Sequence, residues 1–600
     1  LLGPALKADF PEVVESVRMR PLGRNLVANG EKQFYENGIL FADPAFLAVF
    51  TFPLVKGDPA TALSNPDSLV ITETAARKYF GNDDPMGRTL RLFDLFDFKV
   101  AGVARDVPRN SHLQFALLGN FDFVLKRLGY GGGWWNNNYY TYVRLAPNTD
   151  PAKIAPAVYK YFQKISPTAT TFIKLQPLLD IRLRSSYAID IGGASQAKEQ
   201  YVRIFAGIAF LVLLIACINY MNLATARSGL RSREVGVRKV VGAGRPEIIR
   251  QFFGESLLFA AVSGLVAAGL VRLLLAQFNQ LTGKAVPPGA LAAAPVVLFL
   301  AGSALFAGVL SGVYPALFLS SFRPASIFRG GSMTGTRSAL FRKSLVVVQF
   351  ALSTVFIAGT LVVGSQIRYM RTKDLGYKGD SVVHFRLRGA LAANYQAFKD
   401  ELTRTAGILG VTASSDIPTY TVHSTTGFSW EGKAAGDYLL IHQFSVDYDY
   451  FETLGMEMAA GRSFSREFPA DKDAFIVNET AARRMGFKEP LGKWVNLYNR
   501  KGPLVGVVKD FNFKSLHAAV EPLVLRIEPA RNAYVMVKMR YEGLTAGLET
   551  IRRLHAKYNP RYPFEYDFLD ESLGELYRSD RRFGAIVGAF TGLAIFISAL

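Results

Sequence analysis

The sequence predicts a multi-domain membrane protein: an α-helical transmembrane bundle carrying two related α+β extracytoplasmic domains. Three observations lead there. Apolar runs at about residues 204–226, 256–278, 296–322 and 344–367 are each long enough to cross a bilayer, which takes about 20 residues. Cations crowd into the polar segments at one end of these runs, the bias that marks a cytoplasmic face. Two long segments outside the runs, 1–200 and 371–580, share an internal repeat. Composition agrees, since half of the 600 residues are hydrophobic while a fifth are charged. That mixture suits spans alternating with sizeable soluble domains.

The formal charge of +20 lies beside the apolar runs. It reads as membrane orientation and contact with lipid rather than nucleic-acid binding, because no zinc-finger or RNA-binding signature accompanies it. The single cysteine, Cys217, sits inside an apolar run, which leaves no intrachain disulfide and no cysteine-based metal cluster.

Residues 1–200 form the first domain. Short β-rich runs such as Leu69-Val70-Ile71, Phe98-Lys99-Val100-Ala101-Gly102-Val103 and Tyr140-Thr141-Tyr142-Val143 alternate with turn signals. After the first of these, Thr72 is placed to cap a helix over 73–80 that Gly81 ends. A Gly-rich loop over 131–138 carries Trp134 and Trp135. These rings either contact a ligand or partner or pack back on their own domain.

The membrane region occupies 201–370. Its first span, 204–226, holds no Asp, Glu, Lys or Arg. Beyond it stand Arg227, Arg231, Arg233, Arg238, Lys239, Arg245 and Arg250 against only Glu234 and Glu247, which places the segment 227–253 in the cytoplasm. Glu234 and Arg238 have the i,i+4 spacing that pairs opposite charges on one helix face. Gly236 lies between them, Gly242-Ala243-Gly244 breaks the helix, and Pro246 suits the first turn of the next. Ile248, Ile249, Phe252, Phe253 and Ser256 then recur at helical spacing into the second span. The segment is thus a short helix joined rigidly to a transmembrane helix, which would feel a push applied there.

Gly264 and Ala268 in the second span and the Gly308-xxx-Gly312 spacing in the third suit close helix approach. The loop 279–295 between these spans carries only Lys284, as an outer loop should. Arg323, Arg329, Arg337, Arg342 and Lys343, with no acid among them, return the chain to the cytoplasmic side. The fourth span ends on the outer side at Arg368 and Arg371, which oppose the bias but are outnumbered. No charge is expected deep within a span, so no ion or proton path is predicted.

Residues 371–580 form the second domain, where the repeat surfaces. Ile71-Thr72-Glu73-Thr74-Ala75-Ala76-Arg77 returns as Val477-Asn478-Glu479-Thr480-Ala481-Ala482-Arg483, and Pro85-Met86-Gly87 as Pro490-Leu491-Gly492. Val100-Ala101-Gly102-Val103 with Asp106 matches Leu504-Val505-Gly506-Val507 with Asp510. Glu73 and Glu479 fall in a helix's first turn, where the helix dipole favours a carboxylate. A further transmembrane helix begins at 583–600. Because the chain opens directly in soluble sequence and stops inside an apolar run, it is expected to be part of a longer protein.

Enzymatic signatures are missing from these residues. The stretch nearest a phosphate-binding loop, Gly330 to Gly335 followed by Thr336-Arg337, lacks the lysine. The six histidines show no zinc-enzyme spacing, and Gly-x-Ser-x-Gly is absent. No catalytic or metal-binding residue is therefore assigned.

The ordered spacing of Glu234-Val235-Gly236-Val237-Arg238-Lys239, Gly242-Ala243 and Phe253-Gly254-Glu255-Ser256 resembles the coupling region of FtsX-like permeases, the membrane subunits of MacB-type ABC systems. Tyr314-Pro315-Ala316 and Arg323-Pro324-Ala325 are similar to the same pattern, and the repeated domains look like the MacB-type periplasmic core. The resemblance implies ATPase-coupling roles for Arg233, Glu234, Gly236, Arg238, Lys239, Gly242, Ala243, Ile248 and Phe252. It implies a bacterial cytoplasmic-membrane location, and a separate cytoplasmic ATPase that carries ATP and magnesium, with no cofactor in this chain. A dimeric or pseudo-dimeric assembly and a periplasmic adaptor or outer-membrane channel would complete the system. Two outcomes stay open: export of peptides, drugs or lipoproteins, or activation of an outer enzyme such as a cell-wall hydrolase without transport.

Overall fold

The computed structural model describes residues 1–599 except 131–132, 135–137, 167–171, 186–197, 227, 321–335, 420, 422 and 435; for 198, 228–233, 318–319 and 336–339 it describes the backbone alone. The chain folds as two compact units, Leu1–Lys198 with Asp374–Glu575, and Glu199–Lys373 with Leu576–Leu600.

The first unit contains both sheet domains. In the first domain the central strands Ile39–Ala42, Ser68–Thr72 and Leu117–Asn120 are buried along their whole length. Nearly continuous apolar sequence suits a strand covered on both faces. Alternate side chains part accordingly: Phe41, Ile71 and Phe98 enter one core, Leu40, Val70 and Leu118 the other. The second domain follows the same strand order. From Tyr140–Leu145 through Val13–Pro21, Ile39–Ala42, Leu117–Asn120, Ser68–Thr72, Phe96–Ala104 and Thr89–Leu92, each strand of the first sheet has a counterpart. Those counterparts are Tyr534–Met539, Ile408–Ser414, Ile441–Val446, Leu523–Ile527, Phe475–Asn478, Arg500–Val508 and Trp494–Leu497. Even the bulge recurs: register slips past Ala101 in one copy and past Val505 in the other. The second sheet continues beyond Tyr534–Met539 with Val382–Arg386 and Asp567–Phe568.

The segment around the repeated motif explains why these residues recur. Thr72 Oγ1 accepts from Ala75 N at 3.3 Å, and Asn478 Oδ1 from Ala481 N at 3.0 Å, capping the helices Glu73–Phe80 and Glu479–Arg484. Asp106 receives the backbone N–H and hydroxyl of Thr74 at 2.9 and 2.7 Å; Asp510 receives those of Thr480 at the same distances. Each aspartate ties the strand end to the next helix's first turn.

The second unit consists of α1 (Lys198–Ala226), α2 (Ser228–Val240), α3 (Arg245–Thr282), α4 (Ala294–Ser320), α5 (Thr336–Thr372) and α6 (Arg578–Ala599). All but α2 are long and apolar enough to cross a membrane. The helices outrun the apolar windows because polar ends continue the same hydrogen-bonded turns. Thus α3 starts within the basic segment at Arg245 and not at residue 256.

Two groups of helices pack within this unit. The first is α3 with α4. A Cβ on Gly308 would come within 3.0 Å of Ala260 Cβ, one on Gly312 within 3.0 Å of Ser256 Cβ, and one on Gly264 within 3.2 Å of Ala304 Cβ. Each step of four residues forward on one helix meets a step of four back on the other, so the pair is antiparallel and touches through small residues. By this register Arg272 stands level with the first turn of α4. The second group is α1, α5 and α6, joined by Ile215, Phe356 and Ala594. Its polar contacts are Asn219 Nδ2 to Ile597 O at 3.1 Å, Ser353 to Ser598 at 2.7 Å and Thr360 to Thr591 at 2.5 Å.

Candidate functional site

The site is built where α2 meets α3 and α4. A helix this short is marginal in water unless one face is buried. Here Val235 of α2, Ile248 and Phe252 of α3, and Ala316 of α4 form one buried cluster, with Gly236 buried beside them. Each of the larger side chains contributes about 1.5–3 kcal/mol by leaving water. Gly242 turns the chain at φ +107°, and Glu247 reaches back to Gly244 N at 3.1 Å to cap α3.

Polar contacts close the same joint. Lys239 Nζ donates to Ser320 O at 2.6 Å, and Arg245 Nε to Ser320 Oγ at 3.3 Å. Two cations therefore sit at the C-terminal end of α4, where the helix dipole favours positive charge. Arg238 pairs with Glu234 at 2.8 Å and donates to Gln251 of α3, bridging the two helices. The joint is a wedge fixed on three sides.

Its outer surface differs. Val237, Val240 and Val241 are exposed, Val241 at 82%. Val237, Arg238, Val241, Gly242, Ala243 and Glu247 line a shallow recess of about 470 Å³. Exposed valines beside the Arg238–Glu234 pair make an apolar patch with a polar edge.

The sequence-derived residues divide between the two faces. Gly236, Lys239, Ile248 and Phe252 hold the joint together, Arg238, Gly242 and Ala243 line the recess, and Glu234 is held by its ion pair with Arg238. Arg233 belongs to α2, and its side chain lies outside the described residues. Gly308 and Gly312 belong to the α3–α4 contact. Trp134 lies 6.5 Å, ring to ring, from Phe162 of its own domain, and Trp135 falls outside the described residues. Sequence reasoning missed Val235, Gln251 and Ser320 as members of the joint. A signal was present, because the four-residue step from Gly308 to Gly312 continues to Ala316 and Ser320. Among the described residues no group of three or more His, Cys, Asp or Glu could hold a metal ion.

Comparison with known proteins gives this arrangement its relatives. The family model of the MacB-like periplasmic core domain matches residues 2–161 and 344–542, and that of the FtsX-like permease C-terminal matches 206–324. The macrolide export ATP-binding/permease protein MacB of Chlorobium luteolum is 28% identical over 43% of this chain and 37% of its own length. The pyoverdine export ATP-binding/permease protein PvdT of Pseudomonas entomophila is 25% identical over 51% of this chain and 45% of its own. The chain thus spans less than half the length of these relatives. The crystal structure of the periplasmic region of MacB from Actinobacillus actinomycetemcomitans is 15% identical, covering 34% of this chain and 97% of that one, with a TM-score of 0.24. The assignment rests on the family models: repeated sheet domains and the helices joined at the α2 wedge are their matched parts, and the chain belongs to the FtsX-like permeases with MacB-like periplasmic core domains, a family of ABC-type transporter permeases.

Proposed function

We propose that this chain transmits ATP-driven movement from a separate cytoplasmic ATPase, through the joint of α2, α3 and α4, to its two sheet domains outside the cytoplasm of a bacterial inner membrane. The observation that carries the reading is the buried cluster of Val235, Ile248, Phe252 and Ala316. An apolar joint of this kind moves as a body, so displacement of α2 displaces the ends of two membrane helices together. The exposed recess beside Val237 and Val241 is the surface offered to the ATPase, which carries the ATP and magnesium. The work done is export of a peptide, drug or lipoprotein, in keeping with relatives named for macrolide and pyoverdine export. A periplasmic adaptor or outer-membrane channel would receive the cargo, and a dimeric or pseudo-dimeric permease would frame it.

The test is the double substitution Arg238→Glu and Lys239→Glu in the intact permease, purified with its ATPase and reconstituted. The expected result is at least a tenfold loss of permease-dependent ATPase activity with membrane insertion unchanged. Retention of that activity would remove the mechanism.

A further inference from the structure

The two sheet domains pack as one compact unit and leave a cleft of about 620 Å³ between them. That volume falls within the range of about 300–1,000 Å³ that small-molecule sites occupy. One wall comes from the first domain: Asn25 and Leu26, with the tip of the hairpin Thr89–Leu92/Phe96–Ala104. In the three-residue loop that joins these strands, Phe93 and Asp94 both adopt left-handed φ, 60° and 58°, and Leu95 keeps 70% of its surface exposed.

The opposite wall comes from the second domain, where Arg388, Gly389 and Ala390 face Tyr562 and its neighbours. Gly389 has φ +61°, and a Cβ there would lie 2.4 Å from Tyr562 Cε2, so only glycine lets the ring close this side.

Charge decides what fits. The carboxylate in the lining has its own cation, Asp94 facing Arg561 at 4.0 Å, and Glu565, outside the lining, pairs with Arg24 at 2.5 Å. Arg388 has no such partner. Its Nη1 donates to the neutral Asn25 Oδ1 at 2.5 Å, and no carboxylate lies within salt-bridge distance among the described residues. A guanidinium offers five N–H donors in a fork, and one amide occupies a single donor. Burial, foremost, together with the charge of Arg386 lowers the pKa of Arg388, as expected of an uncompensated cation, and burial pushes the hydroxyl of nearby Tyr35 up to about 12.

We propose that this cleft binds an amphipathic anion, with Arg388 holding a carboxylate or phosphate head and Leu26, Phe93 and Leu95 covering the apolar body. Because both domains supply walls, the ligand links them. The site stands apart from the ATPase reading, since binding needs no nucleotide and no partner subunit.

The test titrates octanoate, octyl phosphate and octylammonium into the full chain in phosphatidylcholine nanodiscs, by calorimetry with empty nanodiscs subtracted. Binding of octanoate or octyl phosphate, with octylammonium at least tenfold weaker, is expected; whichever anion binds identifies the head as carboxylate or phosphate. Arg388→Gln should weaken that binding at least tenfold, and Arg388→Lys less, since it keeps the charge and loses the fork. Ala390→Phe, which fills the cleft and keeps the Arg388 charge, should abolish binding while the melting curve stays unchanged, and it decides the matter if Arg388→Gln fails to fold. No binding of either anion, equal binding of octylammonium, or indifference to the folded variants would overturn the proposal.

Discussion

In the first sheet domain the Thr72 hydroxyl caps its helix and bonds Asp106; in the second, Asn478 caps the equivalent helix, bonds Asp510 likewise, and makes two bonds more. Its Nδ2 donates to Asp510 at 2.9 Å and to Glu521 O at 3.0 Å, and its Oδ1 accepts from Leu523 N at 2.9 Å. A second contrast lies two strands over. Asp43 holds Arg18 through two contacts at 2.9 and 3.0 Å with both side chains 13% exposed, and Arg18 also rests on the Phe121 ring at 4.7 Å. Its counterpart Asp447 holds Lys399 at 2.7 Å with exposures of 8% and 9%, and accepts from Tyr395 at 2.8 Å. The two copies keep strand order, bulge and the Asp106/Asp510 clamp, and vary side chains wherever another group can fill the same bond. Backbone geometry is the constrained quantity; the second copy buries more polar chemistry on it.

Three measurements would break or sharpen that comparison. The largest effect is expected at the buried pair. Asp447→Ala leaves Lys399 with only the half-exposed Asp449, and stranding a buried charge costs about 3–5 kcal/mol. Asp43→Ala should cost less, because Arg18 keeps its aromatic neighbour and more water. Urea unfolding followed by domain-resolved hydrogen exchange reads both, and equal losses would erase the distinction.

Acid should separate the domains next. Burial pushes His384 and His555, both in the second domain, down to about 4. With folded values depressed below the unfolded 6.5, protons favour the unfolded chain, so stability is full above pH 6.5 and falls as the pH drops toward 4. The loss from His384 alone is roughly 2–3 kcal/mol at pH 4. Asp447 is different: burial would raise its pKa, but the Lys399 charge and its hydrogen bonds hold it below the usual carboxylate range, so its contribution is lost only below about pH 4. Exchange protection should therefore weaken first in the second domain between pH 6.5 and 4, and His384→Asn with His555→Leu should flatten that slope. Parallel loss in the first domain would contradict the assignment.

The smallest difference is at the caps. Asn478→Ala should cost about 2–3 kcal/mol, since it strands buried donors and acceptors, and Thr72→Ala about 1 kcal/mol. Thermal melts of the two variants compare them, and similar shifts would mean that the extra bonds of Asn478 add nothing.

Much of this was legible in the chain. The five apolar helices follow from run length. The repeat was readable around residues 71–106 and 477–510, where glycines, the cap and the aspartate clamp restrict residue choice. It was unreadable elsewhere: strands Val13–Pro21 and Ile408–Ser414 occupy equivalent places, yet any β-branched or apolar residue fills them. In the basic segment, Glu234 with Arg238 and the glycine turn announced themselves through local spacing. Ser320 as acceptor for Lys239, 81 positions away, did not.

The sequence by itself determined which helices are long and apolar enough to cross a membrane, where the basic helix turns into α3, and that two segments outside the apolar runs share a plan, because these depend on hydrophobic run length, local spacing and capping. Only the tertiary structure decided that α2 is wedged against both α3 and α4, and that Arg388 faces Asn25 with no carboxylate at salt-bridge distance among the described residues. Those facts depend on residues from 13 to 363 positions apart meeting in space, and pairwise packing of that kind leaves no period in the chain to read.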